Sequence, residues 1–519
     1  MIRRFAVALA GLSVALASTA SAQQQQPPAR PTPRVTVTLS EAITQAQRSS
    51  PAYRQAQNNA GAARWAVRNA YSTMLLPSLS VGGSLSYTGA GSATFGGSLF
   101  NQSSPSLSSG YGLNLNWDLS GATLSAPGQQ KADQRAIDED INNALAQLQY
   151  DIAFQYLTGL QAVAQTDVAR QQLARNEDFL QLAQARYQVG QATILDVKQA
   201  QVQRGQAEVA LIRAEQTENE AKLELFRRMG VSVPVAVAEV ALTDSFPVSE
   251  PAWTMEELMM VASEQNPQLR ALRARETSAS WAVKGQKSRY LPTLSFSAAW
   301  RGFTQEFTNT DVLLGSSLAS AQRGLQNCTF QNSLIQSLPG GGIGGVPGNG
   351  VISDCAGFVG LQAGGDALTD SVSSLVRSSN NVFPFSFTRQ PFQASVQISL
   401  PIFDRFNRDL QIAQARAQRE DLTEGVRARE LQLRTDVQSR LLGLETAYRS
   451  IAVQSANREA ARDQLQLAQD RYRLGSGSAL EISDAQNSVQ RAEGDYVNAI
   501  YDYHKAIAAL ELAVGRPLR

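Results

Sequence analysis

The sequence predicts a mixed α/β membrane protein in which short strands come in pairs and feed unusually long helices, with the whole pattern occurring twice. Three observations carry this. The stretch Tyr187-Gln-Val-Gly190-Gln-Ala-Thr-Ile-Leu-Asp196-Val197 recurs as Tyr472-Arg-Leu-Gly475-Ser-Gly-Ser-Ala-Leu-Glu481-Ile482. Each copy lies between two long segments of helical periodicity. Each is also preceded, well upstream, by a pair of strictly alternating runs. A duplicated unit of this kind implies a tube crossing an outer membrane and reaching into the periplasm, and not an enzyme.

The N-terminus carries the pattern of an export signal over residues 1–22. Arg3 and Arg4 precede an apolar run from Phe5 to Ala17, and Ala20-Ser21-Ala22 offers a small-residue cleavage site. The apolar run is too short to span a bilayer as a helix. No cysteine lies near the cleavage site, so no lipid anchor is expected. Residues 23–36 form a Gln- and Pro-rich leader, expected to be flexible. The only cysteines, Cys328 and Cys355, share one polar, Gly-rich stretch and are expected to pair in an oxidising compartment. With a single histidine and two cysteines, no metal site and no cofactor is expected. Lys and Arg number 46 against 45 Asp and Glu, so no basic excess points to nucleic acid. After the signal, no run of about twenty apolar residues suits a membrane helix, which leaves a soluble protein or a β-barrel.

Period two bears on this choice. One alternating run would also suit a half-buried strand of a soluble sandwich, but four, placed as two hairpins in a chain otherwise dominated by helix, favour the barrel. Leu79, Val81, Gly83, Leu85 and Tyr87 alternate with Ser78, Ser80, Gly82, Ser84 and Ser86. Tyr111, Leu113, Leu115, Trp117 and Leu119 alternate with Gly112, Asn114, Asn116, Asp118 and Ser120. These runs make a hairpin over residues 78–120. In the second half, strands are expected over 293–300 (Leu294, Phe296, Ala298 and Trp300 on one face) and 392–400 (Phe392, Ala394, Val396, Ile398 and Leu400). The four runs are about eight to ten residues long, close to the length a tilted strand needs to cross a bilayer. Tyr87, Tyr111, Trp117 and Trp300 are placed to anchor at the membrane interfaces. Four strands cannot close a barrel, because open edges are not tolerated in lipid. The chain must supply part of a shared one: a dimer gives about eight strands and a filled interior, a trimer about twelve and a wide lumen. The Ser- and Asn-rich face favours the wider, wet option.

Between the strand pairs the period becomes helical. Ile141, Leu145, Leu148, Ile152, Tyr156 and Leu160 form one stripe, and Val437, Leu441, Leu444, Tyr448 and Ile451 another. The patterns run from about Gln130 to Val189 and from about Asp409 to Leu474, and about sixty residues of helix reach roughly 90 Å. Helices resume from Ala192 to about Met229 and from Ala479 to about Val514. The turns between therefore reverse the chain, with Gly190 and Gly475 at positive φ and Thr193 and Ser478 as caps. Upstream, Ser50-Pro51 to Trp65 and Leu76-Pro77-Ser78 match Asn266-Pro267 to Trp281 and Leu291-Pro292-Thr293. Trp65 and Trp281 are expected to be packing residues. So are Tyr187 and Tyr472, within their hairpins, and His504, in a helical wall.

The chain thus divides into a first repeat (37–230), a Pro-containing equatorial linker (231–252), a second repeat (253–515) and a short tail (516–519). Residues 301–390 are expected to be a helix-poor, mobile external loop. Its Gly340-Gly341-Gly342-Ile343-Gly344-Gly345 run lacks the Gly-Lys-Ser/Thr of a nucleotide loop.

The paired repeats, the Leu-Pro-x-Leu-Ser strand starts, the return Pro401-Ile-Phe-Asp-Arg-Phe-Asn-Arg408 and the turn Arg471-Tyr-Arg-Leu-Gly475 together resemble outer-membrane efflux proteins of the TolC type, over about residues 37 to 515 apart from 301–390. The resemblance implies a homotrimer, a twelve-stranded barrel in outer-membrane lipid and a long helical periplasmic barrel. It implies docking to a periplasmic adaptor (membrane fusion) protein, which links the duct to an inner-membrane pump. It also implies a tip that is closed at rest and opens by an iris-like movement of the inner helix pair. By position, Glu481 and Asp484 match the acidic pair that faces the axis and forms stacked carboxylate rings, although the family often has Asp at both places. Asp196 matches an acidic position that pairs between chains, and Arg471 and Arg473 are tip-pairing candidates. The turns, with Gly190, Gly475, Ser476 and Gly477, are the implied adaptor-docking surface.

The function implied is passive conduction in tripartite efflux or type I secretion. The alternative is a structural or adhesive surface protein with helical spacers and residues 301–390 as its head. No His, Cys or carboxylate constellation has the spacing of a catalytic site.

Overall fold

A computed structural model describes residues 36–95, 98–233 and 236–518. The expected signal peptide, and the leader as far as Val35, lie outside the described residues. In chain order the elements are β1 (Thr36–Val37), α1 (Leu39–Ser49), α2 (Pro51–Leu75), β2 (Ser78–Thr88), β3 (Gly91–Phe95), β4 (Ser98–Ser103), β5 (Ser106–Leu119), α3 (Gly121–Gln188) and α4 (Ile194–Met229). There follow β6 (Ala241–Leu242), α5 (Met255–Gln265), α6 (Pro267–Lys287), β7 (Thr293–Phe307), α7 (Asp311–Gln336), α8 (Cys355–Phe358), α9 (Asp370–Asn380), β8 (Thr388–Arg389), β9 (Gln393–Ser399), α10 (Asn407–Arg473) and α11 (Ala479–Val514). The chain forms two compact units, each drawing on both halves of the sequence: described residues within 36–54, 144–262 and 435–518 make one, and those within 55–143 and 263–434 the other.

The second unit is built on an antiparallel sheet in the order β2-β5-β7, with β8 and β9 both pairing β7. The four sequence-predicted runs are its main strands, and their register explains the alternation. Leu79, Leu115, Ala298 and Ala394 stand opposite one another, as do Trp117, Phe296 and Val396, then Leu119, Leu294 and Ile398. The opposite face aligns Ser78, Asn116, Ser297 and Ser395, and then Ser80, Asn114, Ala299 and Gln393. One face is therefore apolar across four strands and the other is small and polar. Leu79, Val396 and Ile398 are 65–71% exposed, an arrangement suited to lipid and not to water. Two of the expected interface anchors are engaged by the chain itself. Tyr111 meets Phe387 edge-on at 4.9 Å, and the Trp117 indole donates to the Met74 carbonyl at 3.1 Å. Farther along the apolar face, the buried polar pair Ser109 and Thr304 (2.8 Å apart) lies under the 383–387 segment, whose Pro384 carbonyl accepts from the Ser109 hydroxyl at 2.6 Å.

Residues 301–390 depart from the helix-poor loop expected of them. β7 runs on to Phe307, and α7 alone contributes 26 residues. The glycines that dominated the sequence reading occupy only the link from α7 to α8. There Gly342 packs so tightly that a Cβ would meet the Val346 carbonyl. Asp354 and Thr369 cap α8 and α9. The expected Cys328–Cys355 disulfide is present, with Cα atoms 5.8 Å apart, and joins α7 to α8. Asn380 fastens the end of α9 to β7 by exchanging two hydrogen bonds with the Phe307 backbone (2.9 and 2.8 Å).

The strands pass into the long helices by two different devices. After β5, Ser120 and Thr123 exchange hydrogen bonds, and Gly121 is obligatory because a Cβ there would strike Ser288. α3 therefore begins nine residues before the expected Gln130 and carries Pro127 within it. After β9, Arg405 and Phe406 both adopt left-handed conformations (φ 58° and 61°), unusual for residues with a Cβ. Arg408 holds this elbow: its guanidinium donates to Pro401 O (2.7 Å), Ile402 O (3.0 Å) and Asp404 Oδ2 (3.0 Å). In the same unit Trp281 packs over Gly128, where a Cβ would lie 2.6 Å from the ring. Trp65 does not pack as expected; it is 67% exposed, with Arg68 stacked on it.

The first unit is helical. The predicted stripe Leu148, Ile152, Tyr156 and Leu160 packs with Val37, Ala42, Ala46, Leu225, Phe226 and Met229 in one core. The linker joins it, because β6 pairs in parallel with β1 and the Tyr156 hydroxyl donates to Val37 O at 2.9 Å. Buried His504 lies in the helical wall as expected, against Tyr503 and Phe246.

Candidate functional site: the two helical turns

Both turns lie in the helical unit. A second core there is made of Phe179, Ala183, Ala200, Ala461, Leu465, Ala468, Tyr472, Ala479, Ile482, Ala485 and Val489. Alanine dominates because the four helices approach closely, and larger side chains would hold them apart.

In the first turn α3 ends at Gln188, and Gly190 (φ 75°) reverses the chain; its amide donates to Tyr187 O at 3.0 Å. Thr193 then opens α4 with a complete capping box. The Asp196 amide donates to the Thr193 hydroxyl (3.3 Å), and the Asp196 carboxylate accepts from the Thr193 amide (2.8 Å). Asp196, singled out as a tip-pairing residue, is thus occupied within its own chain.

In the second turn Gly475 (φ 80°) takes the equivalent place, and its amide donates to Tyr472 O at 3.1 Å. The Ser476 and Gly477 amides both donate to Arg471 O, at 2.9 and 3.0 Å. Gly477 must lack a side chain, because a Cβ would lie 2.9 Å from the Tyr472 nitrogen. Ser478 caps α11, and Glu481 donates its amide to the Ser478 hydroxyl at 3.2 Å. The Glu481 carboxylate instead meets Arg471 at 3.5 Å. Arg473 pairs with Asp470 at 3.5 Å. Glu481 and Asp484 lie one helical turn apart and are both exposed. Asp484 lines one end of a groove of about 820 Å³ between α3, α4 and α11, together with Asn487, Arg491 and Asp495.

The two motif tyrosines are not equivalent, contrary to the expectation that both pack inside their hairpins. Tyr472 is 4% exposed and meets Phe179 edge-on at 5.7 Å, whereas Tyr187 is 47% exposed. Burial, with Asp196 nearby, pushes the Tyr472 hydroxyl pKa up, and the hydroxyl has no hydrogen-bond partner among the described residues.

Residues that the motif reading passed over tie the two hairpins together. The Arg186 guanidinium lies over the Tyr472 ring at 4.5 Å and donates to both Tyr472 O and Gln191 O, so it touches both turns. Farther along the helices, buried Glu493 of α11 accepts from Arg175 of α3 (3.0 Å) and Arg462 of α10 (2.8 Å). Their sequence signal is only a charge on an otherwise apolar helix face. Among the described residues no cluster of His, Cys, Asp and Glu could hold a metal ion, and no helix is long and apolar enough to cross a membrane.

The comparisons with known proteins agree with this architecture. Residues 42–231 and 367–516, the larger part of the chain, match the family described as outer membrane efflux protein. The chain belongs to that family: it is an outer-membrane channel component of efflux, with a periplasmic extension, and not an enzyme. Its fold is similar to that of a membrane protein from Pseudomonas aeruginosa (19% identity, TM-score 0.66, 92% of this chain and 90% of that one). It is similar to the outer membrane protein VceC from Vibrio cholerae (16% identity, TM-score 0.65, 93% of this chain and 97% of that one). It also resembles the open-state MtrE outer membrane channel from Neisseria gonorrhoeae (18% identity, TM-score 0.63, 93% and 89%). Comparison with curated proteins found no match.

Proposed function

We propose that three copies of this chain join their sheets edge to edge into a twelve-stranded barrel, and that the long helices form a closable duct. The observation that carries this is the sheet itself. Its apolar face is in register across four strands, while β2 and β9 each keep an edge without a partner among the described residues. In lipid those edges must pair, and copies of the same chain offer matching ones. The duplicated layout, repeats over 37–230 and 253–515 about a linker, supplies two strands and one helical hairpin from each half.

The tip is the gate in this reading. Asp484 and Glu481 form two carboxylate rings that favour cations. The Arg471–Glu481 pair supports a division of labour: Glu481 is paired with its neighbour, and Asp484 carries the selectivity. Arg473 and Asp196 trim the tip, and the turns at Gly190 and at Gly475, Ser476 and Gly477 dock a periplasmic adaptor protein. That adaptor connects the duct to an inner-membrane pump, which supplies the energy. The α7–α9 segment stands on the external side.

Two measurements test this. Imaging of the detergent-purified protein is expected to show a three-fold assembly; a monomer would reject the shared barrel. In planar bilayers, Glu481→Ala with Asp484→Ala is expected to raise conductance and weaken cation preference, with Asp484→Ala alone giving most of the selectivity change. Unchanged currents in a correctly assembled trimer would reject the gate.

A further inference from the structure

The polar face of the sheet is built from small neutral side chains. β2 presents Ser78, Ser80, Ser84 and Ser86, and β5 presents Asn114 and Asn116, with Asp118 at its helix end. β7 breaks this pattern at two adjacent rows. Arg301 and Phe303 are two residues apart, so both project on this face. In register, Arg301 stands beside Gly112 and Gly82, and Phe303 beside Gly110 and Ser84. No side chain in these two rows on β2 or β5 is taller than serine, so both project from a floor of bare backbone. Arg301 is exposed, and its Nη2 donates to Asn114 Oδ1 at 3.1 Å. Phe303 is 45% exposed, although the large apolar side chains of β2, β5 and β9, and of β7 as far as Trp300, point to the opposite face. A concavity of about 600 Å³ is lined by both residues, Asn114 and the glycines.

Arg301 is exposed, and Phe303 keeps nearly half of its surface open. Among the described residues the Arg301 guanidinium makes one side-chain hydrogen bond, which orients it and leaves the rest of its fork open. A guanidinium fork matches a carboxylate or sulfonate. An aromatic ring beside it takes a second ring edge-on or offset. We propose that Arg301 and Phe303 form a binding subsite on the duct wall for aromatic anions, that is, ring-bearing carboxylates or sulfonates. The proposal rests on the reading of the polar face as the lumen. It gives the barrel a preference opposite in sign to that of the acidic tip, so an aromatic anion released past the tip is held briefly before it leaves.

The test uses the purified full-length channel in planar bilayers, with 2-naphthoate as the probe and 2-naphthol and acetate as its neutral and ring-free counterparts. Naphthoate is expected to interrupt the current in a concentration-dependent way, with the other two needing far higher concentrations. Arg301→Gln is expected to raise the half-blocking naphthoate concentration about tenfold, the scale of one charge-assisted contact. Phe303→Ser, which keeps the Arg301–Asn114 pair, is the second variant and is expected to raise it severalfold. Ser297→Ala, on the same face but rows away, is expected to leave it unchanged. Equal block of the parent and both variants overturns the subsite, as does acetate acting as well as naphthoate. A pore that conducts potassium chloride but is never blocked overturns this proposal alone. A protein that forms no conducting pore overturns the shared barrel as well.

Discussion

The two helical turns share a sequence pattern and differ in what they do with it. In the first, the acidic residue three positions after the cap is Asp196, and its carboxylate closes the capping box on Thr193. In the second, the equivalent Glu481 gives only its amide to Ser478, and its carboxylate reaches Arg471 instead. The first turn spends its acid on its own helix. The second keeps it exposed and adds Asp484 on the same face. The tyrosines divide in the same way: Tyr472 is locked into the core by Phe179 and Arg186, while Tyr187 is about half exposed. A repeated motif therefore supplies one turn whose acid is closed into its helix cap and one whose acid is paired with Arg471 at the surface, with Asp484 exposed beside it.

The comparison can be broken most forcefully at Glu493, which is buried and carries two arginines, whereas the matching Glu208 of the first hairpin is partly exposed and pairs with Arg204 of its own helix. Glu493→Ala is expected to destabilise the packing of α3 against α10 and α11 by about 2–3 kcal/mol. This is below the cost of a fully buried pair, because Arg462 can turn to water. Faster amide exchange over α10 and α11 near the turn would show it, and unchanged exchange would remove Glu493 from the tie. Next comes the glycine asymmetry. Gly477→Ala must push a Cβ against the Tyr472 backbone and is expected to cost about 1–2 kcal/mol, whereas Ala192→Gly at the matching place should cost about 0.5 kcal/mol. Thermal melts of the two variants in detergent check the ranking.

The caps sharpen the comparison further. Thr193→Ala removes the hydroxyl that accepts from the Asp196 amide and donates to its carboxylate, leaving only the backbone half of the box. It is expected to cost about 1 kcal/mol, with Ser478→Ala costing less, both read from amide exchange at the starts of α4 and α11. Equal losses would deny the difference between the turns. Tyr472→Phe deletes a buried hydroxyl that has no partner, so its melting point is expected to hold or rise slightly, an effect within about 1 kcal/mol. A marked loss would mean that the hydroxyl is bonded in the assembled protein. The smallest effect concerns pH and the far ends of the same helices. Arg227 and Arg228 hold the Glu224 carboxyl at about 2, near the end of α4. α11 has no basic residue in its last turn. Because the folded value is depressed, this contribution is present above the ordinary carboxylate pKa of about 4.3 and is lost as pH falls through about 2. Acidification from pH 5 towards 2 should fray the end of α4 in the parent more than in Glu224→Gln, as followed by exchange.

Most of the framework was legible along the chain, because it depends on short-range rules. Period two marked the strands, proline marked their starts, and Gly190 and Gly475 marked the reversals. The misreadings have identifiable causes. The α7–α9 segment was hidden by the Gly340–Gly345 run, which occupies only a link. The start of α3 was hidden by Pro127, which the helix accommodates near its beginning. At the site, the capping residues were visible, but Arg175, Arg186, Arg462 and Glu493 were not. Each is an ordinary charge on a long helix until another helix brings its partner within reach.

By itself the sequence determined where the chain is extended, where it is helical and where it reverses, since these follow from side-chain period and backbone sterics within a few residues. Only the tertiary structure decided which acid caps and which stays open, which tyrosine is buried, and that Arg301 and Phe303 stand over glycines from neighbouring strands. Those outcomes depend on groups brought together from distant parts of the chain, and no local pattern encodes the distance between them.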